Sequence, residues 1–340
     1  MQNIILLCTR NIYCKIYCSS EILLLCKDNK NICPLPSLVT FLSLKEKEMT
    51  DKKVKDIKNI DELASFLKEK GENHKNYNHY TTSWSLNLIL KNSTLRFTRG
   101  NSKNLNDWHE WNEKGKQDIW NKTYIACFSY GDFEKMAMWG LYCLPSKEAV
   151  RLTIPQKALS FVKKFNSNNS GIKIYKDEDK KELIGNEAIK SIILSDVFYF
   201  KDNRPQSHNG AIFTFSENHV VNLLDKENAT GIIKNHSWSY EKEVRIIIRF
   251  KDEQYSSKNE YEILNNVYLE FPNEMIKNAL VTKGPNFDEY INNNENLIRT
   301  IENINNETSA NMKLEKSSYK GLIHFKSDTM IFLKKESKGC

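Results

Sequence analysis

Between Trp238 and Phe250 the chain reads Trp-Ser-Tyr-Glu-Lys-Glu-Val-Arg-Ile-Ile-Ile-Arg-Phe, and three of these side chains could do chemistry. Alternation and β-branched residues predict one strand over the whole segment. Alternate residues of a strand share a face. Glu241, Glu243 and Arg245 therefore fall in a row with Ser239, Ile247 and Arg249, each about 7 Å from the next. Trp238, Tyr240, Lys242, Val244, Ile246 and Ile248 take the other face. Carboxylates on a central strand are costly unless paired or used. Two readings follow: Arg245 neutralises Glu243 at a sheet edge, or the row is a site wall holding a glutamate for acid–base or electrostatic catalysis.

Four further blocks invite the same question. His79-Tyr80-Thr81-Thr82 ends a strand before a helix, and Asn106-Asp107-Trp108-His109-Glu110 lies in a loop entering a helix. Cys127-Phe128-Ser129 ends a strand, and Met138-Trp139-Gly140-Leu141-Tyr142 lies on the helix that follows. Strand ends and polar loops are where sites are usually built. Each block also has an ordinary reading: His79 as a satisfied core histidine, Asp107 as a helix N-cap, the Met138, Trp139 and Tyr142 stripe as packing. Asp107, His109 and Glu110 lack H-E-x-x-H spacing, and no metal site is expected from them.

These blocks need elements to carry them. Helices are predicted from Asn59 to about Lys70, ended by Gly71; from a cap at Ser83; over Asp107–Trp120; and after Gly131-Asp132. Strands are predicted at Tyr77–Thr81, Thr94–Thr98, Thr123–Ser129 and Ala149–Ile154. From the Asn/Ser loop at Asn166 to Asp225 the signals are weak. Beyond Phe250 the pattern predicts strands near Val267 and Leu280, an Asn-rich helix over Phe287–Ile304, and strands near Lys313, Ile323 and Thr329–Leu333. The sum is an α+β fold: a mixed central β-sheet, continuous or split, with flanking helices.

A chain of 340 residues with 40% hydrophobic content can build a substantial core. Its net charge of +7 is spread along the sequence, so nucleic acid is permitted as a partner but not indicated. Cys8, Cys14, Cys18, Cys26 and Cys33 crowd the N-terminus, leaving Cys127, Cys143 and Cys340 for the rest. So few thiols in the body imply a reducing, cytoplasmic compartment, and without a C-x-x-C pair the N-terminal set is no zinc cluster. Apolar runs at Ile4–Leu7 and Ile22–Leu25 are broken by Arg10, Lys15 and Glu21, far short of the roughly 20 residues of a membrane span. No membrane association is expected, and no signal peptide. Lys45-Glu46-Lys47-Glu48 has the purine-rich coding of a ribosome-binding site, so translation is expected to start at Met49. Residues 1–48 would then be a non-native extension and 49–340 a single domain.

The blocks, taken in order, resemble the bacterial domain of unknown function 2971 family. Its pattern H-Y-T-[ST], L-R-[FLW]-[ST] with N-D-x-x-E, C-F-S, M-W-x-x-Y and W-x-Y-E-x-E-x-R stands here as His79–Thr82, then Leu95–Thr98 with Asn106, Asp107 and Glu110. It continues as Cys127–Ser129, Met138-Trp139 with Tyr142, and Trp238, Tyr240, Glu241, Glu243 and Arg245. The resemblance runs from about His79 to Phe250. It departs after M-W-x-x-Y, where members often carry a glycine and an acidic residue and this chain has Glu148-Ala149 and Ile154-Pro155.

A second resemblance, to ADP-ribosyltransferases, supplies a chemistry. These are split-sheet folds holding NAD in a cleft, with a His or Arg, then a Ser or Tyr, then a Glu in chain order. His79, Ser129 or Tyr142, and Glu243 stand in that order, and Glu241-x-Glu243 resembles the paired acidic motif of some members. The resemblance implies His79, Glu243 and Glu241 as catalytic residues, and His79, Tyr80, Ser129, Trp139, Tyr142 and Arg245 around NAD. Here His79 would bond the ribose, Tyr142 would stack on nicotinamide, and Glu243 would stabilise the oxocarbenium-like transition state. The expected partners are a nucleotide-type small molecule and a protein or nucleic-acid acceptor. Two rivals stay open: a non-catalytic nucleotide sensor, and a metal-dependent nucleic-acid-directed antiphage module using Asp107, Glu110, Glu241 and Glu243.

Overall fold

The computed structural model describes residues 5–6, 12–16, 22–26, 57, 60–100, 117–163, 171–200, 212–216, 219–222, 227, 230–251 and 264–321. Contacts divide the chain into two units: residues 1–58 with 214–221, and residues 59–213 with 222–340. In the first unit, β1 (Ile5–Leu6), β2 (Ile12–Ile16) and β3 (Ile22–Cys26) form a three-stranded antiparallel sheet.

The second unit carries the blocks of interest. In chain order it contains α1 (Ile60–Glu72), β4 (Asn76–Thr82), α2 (Ser83–Asn92), β5 (Thr94–Arg99), α3 (Gln117–Asn121), β6 (Thr123–Tyr130), α4 (Met136–Tyr142) and β7 (Ala149–Pro155). Next come α5 (Ser160–Lys163), β8 (Ile174–Tyr175), β9 (Leu183–Ile184), β10 (Ile189–Asp196) and β11 (Phe198–Phe200). Past the paired strands β12 (Ile212–Ser216) and β13 (His219–Asn222) lie β14 (Ile233–Asn235), β15 (Glu243–Phe250), β16 (Asn266–Glu270), β17 (Leu280–Lys283), α6 (Asn292–Glu307) and β18 (Lys313–Lys316).

Eleven of these strands form one sheet. Its order is β18-β17-β7-β4-β6-β5-β16-β8-β9, with β15 on the other edge of β6 and β10 outside β15. β17 and β18 run parallel and the other pairs antiparallel, so the sheet is mixed and helices flank it, as the pattern predicts. β6 is the hinge of the arrangement. One edge pairs with β15 along its whole length, from Thr123↔Arg249 to Ser129↔Glu243. The other edge is shared: β4 takes its end at Ser129 and Tyr130, while β5 takes its start at Tyr124 and Ile125. Residues 126–128 lie between the two partners, where β4 and β5 part and the sheet forks.

The two faces of β15 differ as the alternation requires. Val244, Ile246 and Ile248 are fully buried in the main core with Tyr124, Phe128, Leu152 and Ile154. Glu243, Arg245 and Arg249 are just as buried on the opposite face. The strand is shorter than the sequence suggests, however. Trp238–Glu241 belong to a 3-10 turn, His236–Glu241, which Asn235 caps by accepting the Ser237 N–H at 2.9 Å. Lys242, at φ 45°, then turns the chain into the strand. Trp238, Tyr240 and Glu241 are thus not strand residues. Turn geometry overrides an alternation that reads straight through it.

Smaller boundaries move for local reasons. Thr82, not Ser83, caps α2, its Oγ1 accepting from Ser85 N at 3.3 Å, and Ser93 closes the helix in the left-handed region. The Asn-rich helix begins at Asn292 rather than Phe287, because Asn294 Nδ2 bonds the Lys147 carbonyl at 2.8 Å and fixes a turn first. Only residues 117–120 of the predicted Asp107–Trp120 helix are described, and they are helical. The strands expected near Ile323 and at Thr329–Leu333 lie outside the described residues.

Gly71 does not end α1; it sits inside the last turn. A Cβ there would come within 2.6 Å of Asp196 N and 2.8 Å of Ser195 Cα, both backbone atoms of β10. Backbone cannot yield as a flexible side chain can, so helix and strand must separate. Gly71→Ala is expected to lower stability by about 1–3 kcal/mol, read as a lower urea midpoint with an unchanged slope.

Candidate functional site

The fork in the sheet opens a cleft of about 300 Å³. β4 and β6 supply His79, Tyr80, Cys127, Phe128 and Ser129; α2 supplies Trp84, Ser85 and Leu88. Arg96 comes from β5, Tyr142 from α4, and Lys234, Glu241, Glu243 and Arg245 from the segment around the 3-10 turn. The register explains the convergence. Asn78 pairs with Ser129 and Ser129 with Glu243, so these three lie in one row across β4, β6 and β15 on one face. The backbones of His79 and Glu243 are therefore about 10 Å apart, two strand spacings. His79 stands on the opposite face, and both residues line the cleft, which lies where β4 and β5 part beside β6.

His79 is held at the fork itself. Its Nδ1 lies 3.1 Å from the Cys127 carbonyl. A carbonyl only accepts, so Nδ1 carries the proton and Nε2 of the neutral ring is left as an acceptor. Burial lowers the imidazole pKa; the Cys127 bond opposes this and the nearby Arg96 charge adds to it. The ring packs against Phe128 with centroids 5.5 Å apart. Cys127 keeps its proton: burial first, then the charge of Glu243, raise its pKa.

On the other face lies a buried set of charges. Glu243 receives Arg245 through Nε at 2.8 Å and Nη2 at 3.0 Å, and Lys234 Nζ at 3.1 Å. Lys234 also holds Glu241 at 2.6 Å, while the Tyr142 hydroxyl donates to the other Glu241 oxygen. Arg245 Nη1 donates to the Gly231 carbonyl at 2.9 Å. Burial alone would raise the pKa of Glu243, but Arg245 and Lys234 outweigh it and hold the carboxyl well below the usual range. Glu241 moves the other way, raised by burial and then by the charge of Glu243. Of the two readings of the row, pairing of Arg245 with Glu243 is present, in the interior rather than at a sheet edge.

The remaining candidates sort by position. Ser129 Oγ donates to the Glu241 carbonyl at 2.7 Å, and the Tyr80 hydroxyl accepts from Lys135 N at 2.9 Å. Trp139 is buried against Tyr80, its Nε1 donating to Glu134 at 3.0 Å; it does not line the cleft. Trp238 packs on Lys234, whose Nζ is 4.8 Å from the ring centre, and Tyr240 is partly exposed beside it. Asn106, Asp107 and Glu110 lie outside the described residues. Among the described residues no three His, Cys, Asp or Glu side chains are grouped to hold a metal ion, and no helix is long and apolar enough to cross a membrane.

Sequence reasoning missed Lys234 and Lys135 and left Trp84 and Arg96 out of the site. Lys234 sits on a three-residue strand that no periodicity could reveal. Trp84 did leave a signal: a large aromatic on the first turn of a helix whose apolar positions, Leu86 and Leu90, lie on another face. It is 53% exposed at the cleft.

Comparison with known proteins yields a partial match to one family model and no activity. Neither the curated proteins nor the solved structures provide a match to this chain. Residues 138–246 match a family model described as protein of unknown function (DUF2971). The Met138-Trp139…Tyr142 block and the Trp238–Arg245 block fall inside that span, whereas His79–Thr82, Leu95–Thr98 and Cys127–Ser129 precede it. From α4 into β15, the stretch that supplies Tyr142, Lys234, Glu241, Glu243 and Arg245 to the cleft, this chain is similar to the DUF2971 family of proteins of unknown function.

Proposed function

We propose that the cleft binds a nucleotide-type small molecule and that its substrate is NAD, whose nicotinamide–ribose bond is cleaved there. The observation that carries the reading is the fork, which lets a neutral imidazole and a buried carboxylate face one cleft from opposite sides of the sheet. A cleft of about 300 Å³ is at the lower limit of ligand sites and suits the nicotinamide–ribose end. Exposed Trp84 offers a stacking face and Arg96 a cation for the rest of the molecule.

The acceptor Nε2 of His79 suits a ribose hydroxyl. Glycosidic bonds ionise more readily beside a fixed carboxylate. Glu241 fits that role better than Glu243: each Glu241 oxygen has one partner, whereas Glu243 is clamped by three contacts from two cations. The same clamping argues against metal-dependent chemistry on this pair.

The test is nicotinamide release by the full chain beside Glu241→Gln and His79→Ala. Release that falls at least 100-fold in Glu241→Gln, on a chain of unchanged melting temperature, supports the reading. NAD binding by calorimetry without release would select a non-catalytic sensor, a reading favoured by how fully the four charges satisfy one another. The absence of both binding and release would remove NAD as the ligand.

A further inference from the structure

The charged residues that line the cleft divide into two groups. Lys234, Arg245, Glu241 and Glu243 satisfy one another in the buried set. Arg96 and Glu178 also line the cleft, and among the described residues neither makes a hydrogen bond or an ion pair. Arg96 is exposed and Glu178 half-buried. A cation and an anion thus stand in one wall without binding each other or a neighbour.

The sheet explains where they stand. Thr98 pairs with Ile125, so Arg96, two residues earlier, would be level with Cys127 were the pairing to continue. It stands instead where β5 and β6 part, on the face that carries Glu243 and Arg245. Arg96 pairs on its other side with Tyr268 of β16, and Tyr268 with Tyr175 of β8. Glu178 follows three residues later, in the turn between β8 and β9. The Asp177 carboxylate fixes that turn by accepting from Lys181 N and Glu182 N, both at 2.9 Å. Around it Lys176 pairs with Glu182, Lys180 with Glu270 and Lys181 with Asp179. Glu178 is the charged side chain of the turn that no described partner takes, and it faces the cleft.

A ligand that answers both groups must carry an anion and, apart from it, hydrogen-bond donors. A ribose phosphate does: the phosphate suits a guanidinium, and the vicinal hydroxyls suit a carboxylate, as in dinucleotide sites. Exposed Trp84 in the same wall offers a stacking surface that a base would use and a bare sugar phosphate would not. We propose that Arg96 and Glu178 determine the specificity of the cleft, Arg96 taking the phosphate of a nucleotide and Glu178 its free 2′,3′-diol. A second phosphate on the diol is then repelled by Glu178, so NAD is preferred to NADP. This rests on the nucleotide reading of the cleft, but not on cleavage of NAD there.

The experiment is calorimetry on the full chain with AMP, adenosine and adenosine 2′,5′-bisphosphate, none of which contains nicotinamide. AMP should bind about tenfold or more tightly than adenosine, which lacks the charge-assisted bond to Arg96. It should exceed the bisphosphate by about tenfold as well, since like charges would meet at Glu178. Arg96→Gln should bring AMP down to the level of adenosine, and Glu178→Gln should bring the bisphosphate to within about threefold of AMP. Neither side chain is in the core, so both variants should keep the wild-type melting temperature. Equal binding of AMP and the bisphosphate by the wild-type chain, undiminished AMP binding by Arg96→Gln, or no binding of any of the three would overturn the proposal. The expected pattern without nicotinamide release from NAD would uphold it while the cleavage reading falls.

Discussion

Arg245→Met should destabilise the protein by about 3–5 kcal/mol at neutral pH, the usual consequence of removing one partner from a buried ion pair. Arg245 is 2% exposed and its guanidinium satisfies both oxygens of Glu243 as well as the Gly231 carbonyl. Methionine fills much of the same volume, so the loss is electrostatic rather than a cavity. After it, Lys234 alone must serve Glu241 and Glu243, and a net negative charge stays buried. The pH dependence identifies the cause. In the native protein Glu243 titrates well below an unfolded glutamate, so its pairing contributes stability above the ordinary carboxylate range, and this is lost as pH falls through the folded value. In the variant its pKa rises, and protonation relieves the buried charge. Urea unfolding should therefore show the deficit at pH 7 shrinking on acidification towards pH 4–5. An equal deficit at both values would mean that lost packing, not the orphaned carboxylate, is responsible.

Two tryptophans near the cleft should behave oppositely. Trp139→Ala removes a side chain that is 1% exposed, wedged edge-on against Tyr80 with centroids 4.9 Å apart and hydrogen-bonded to Glu134. The expected cost is about 3–5 kcal/mol. Glu134 also accepts from Ser317 Oγ at 2.5 Å and Ser318 N at 2.7 Å, so the segment after β18 should loosen with it, seen as faster hydrogen exchange there. Trp84→Ala, at a half-exposed position, should leave stability within about 0.5 kcal/mol of wild type and weaken nucleotide binding by roughly tenfold, in line with base–aromatic stacking of about 1–3 kcal/mol. A Trp84→Ala chain that binds as well as wild type would remove Trp84 from the ligand's path.

The legible parts of this fold were those whose physics is local. β4, β5, β6 and β7 alternate or are dense in β-branched and aromatic residues, and each lies within two residues of its predicted span. The charged face of β15 was legible for the same reason. Missed features depend on distant partners. β10, Ile189–Asp196, is covered by β15 and by α1, so it shows no clean alternation, and a bulge between Ile189 and Ser191 disrupts what period it has. The turn at Trp238–Glu241 rests on the Asn235 cap and one left-handed residue, neither visible in a pattern of apolar and polar positions. The candidate site was half legible. His79, Ser129, Tyr142, Glu241 and Glu243 could be named as line-up members, but not the lysine that joins the two glutamates, nor the fork that brings His79 to the same cleft.

Lys234, Glu241, Glu243 and Arg245 form a buried set of two positive and two negative charges from three successive elements at the wall of the cleft. Such a set resists change one member at a time, since each single loss strands a charge, yet it could be exchanged whole for apolar side chains at little cost. Drift in related chains should then be correlated. A homologue without the lysine should also lack one of the glutamates, and homologues holding three of the four should be scarce. Those that have lost all four together would be the natural experiment on whether the cleft needs its charges or only its shape.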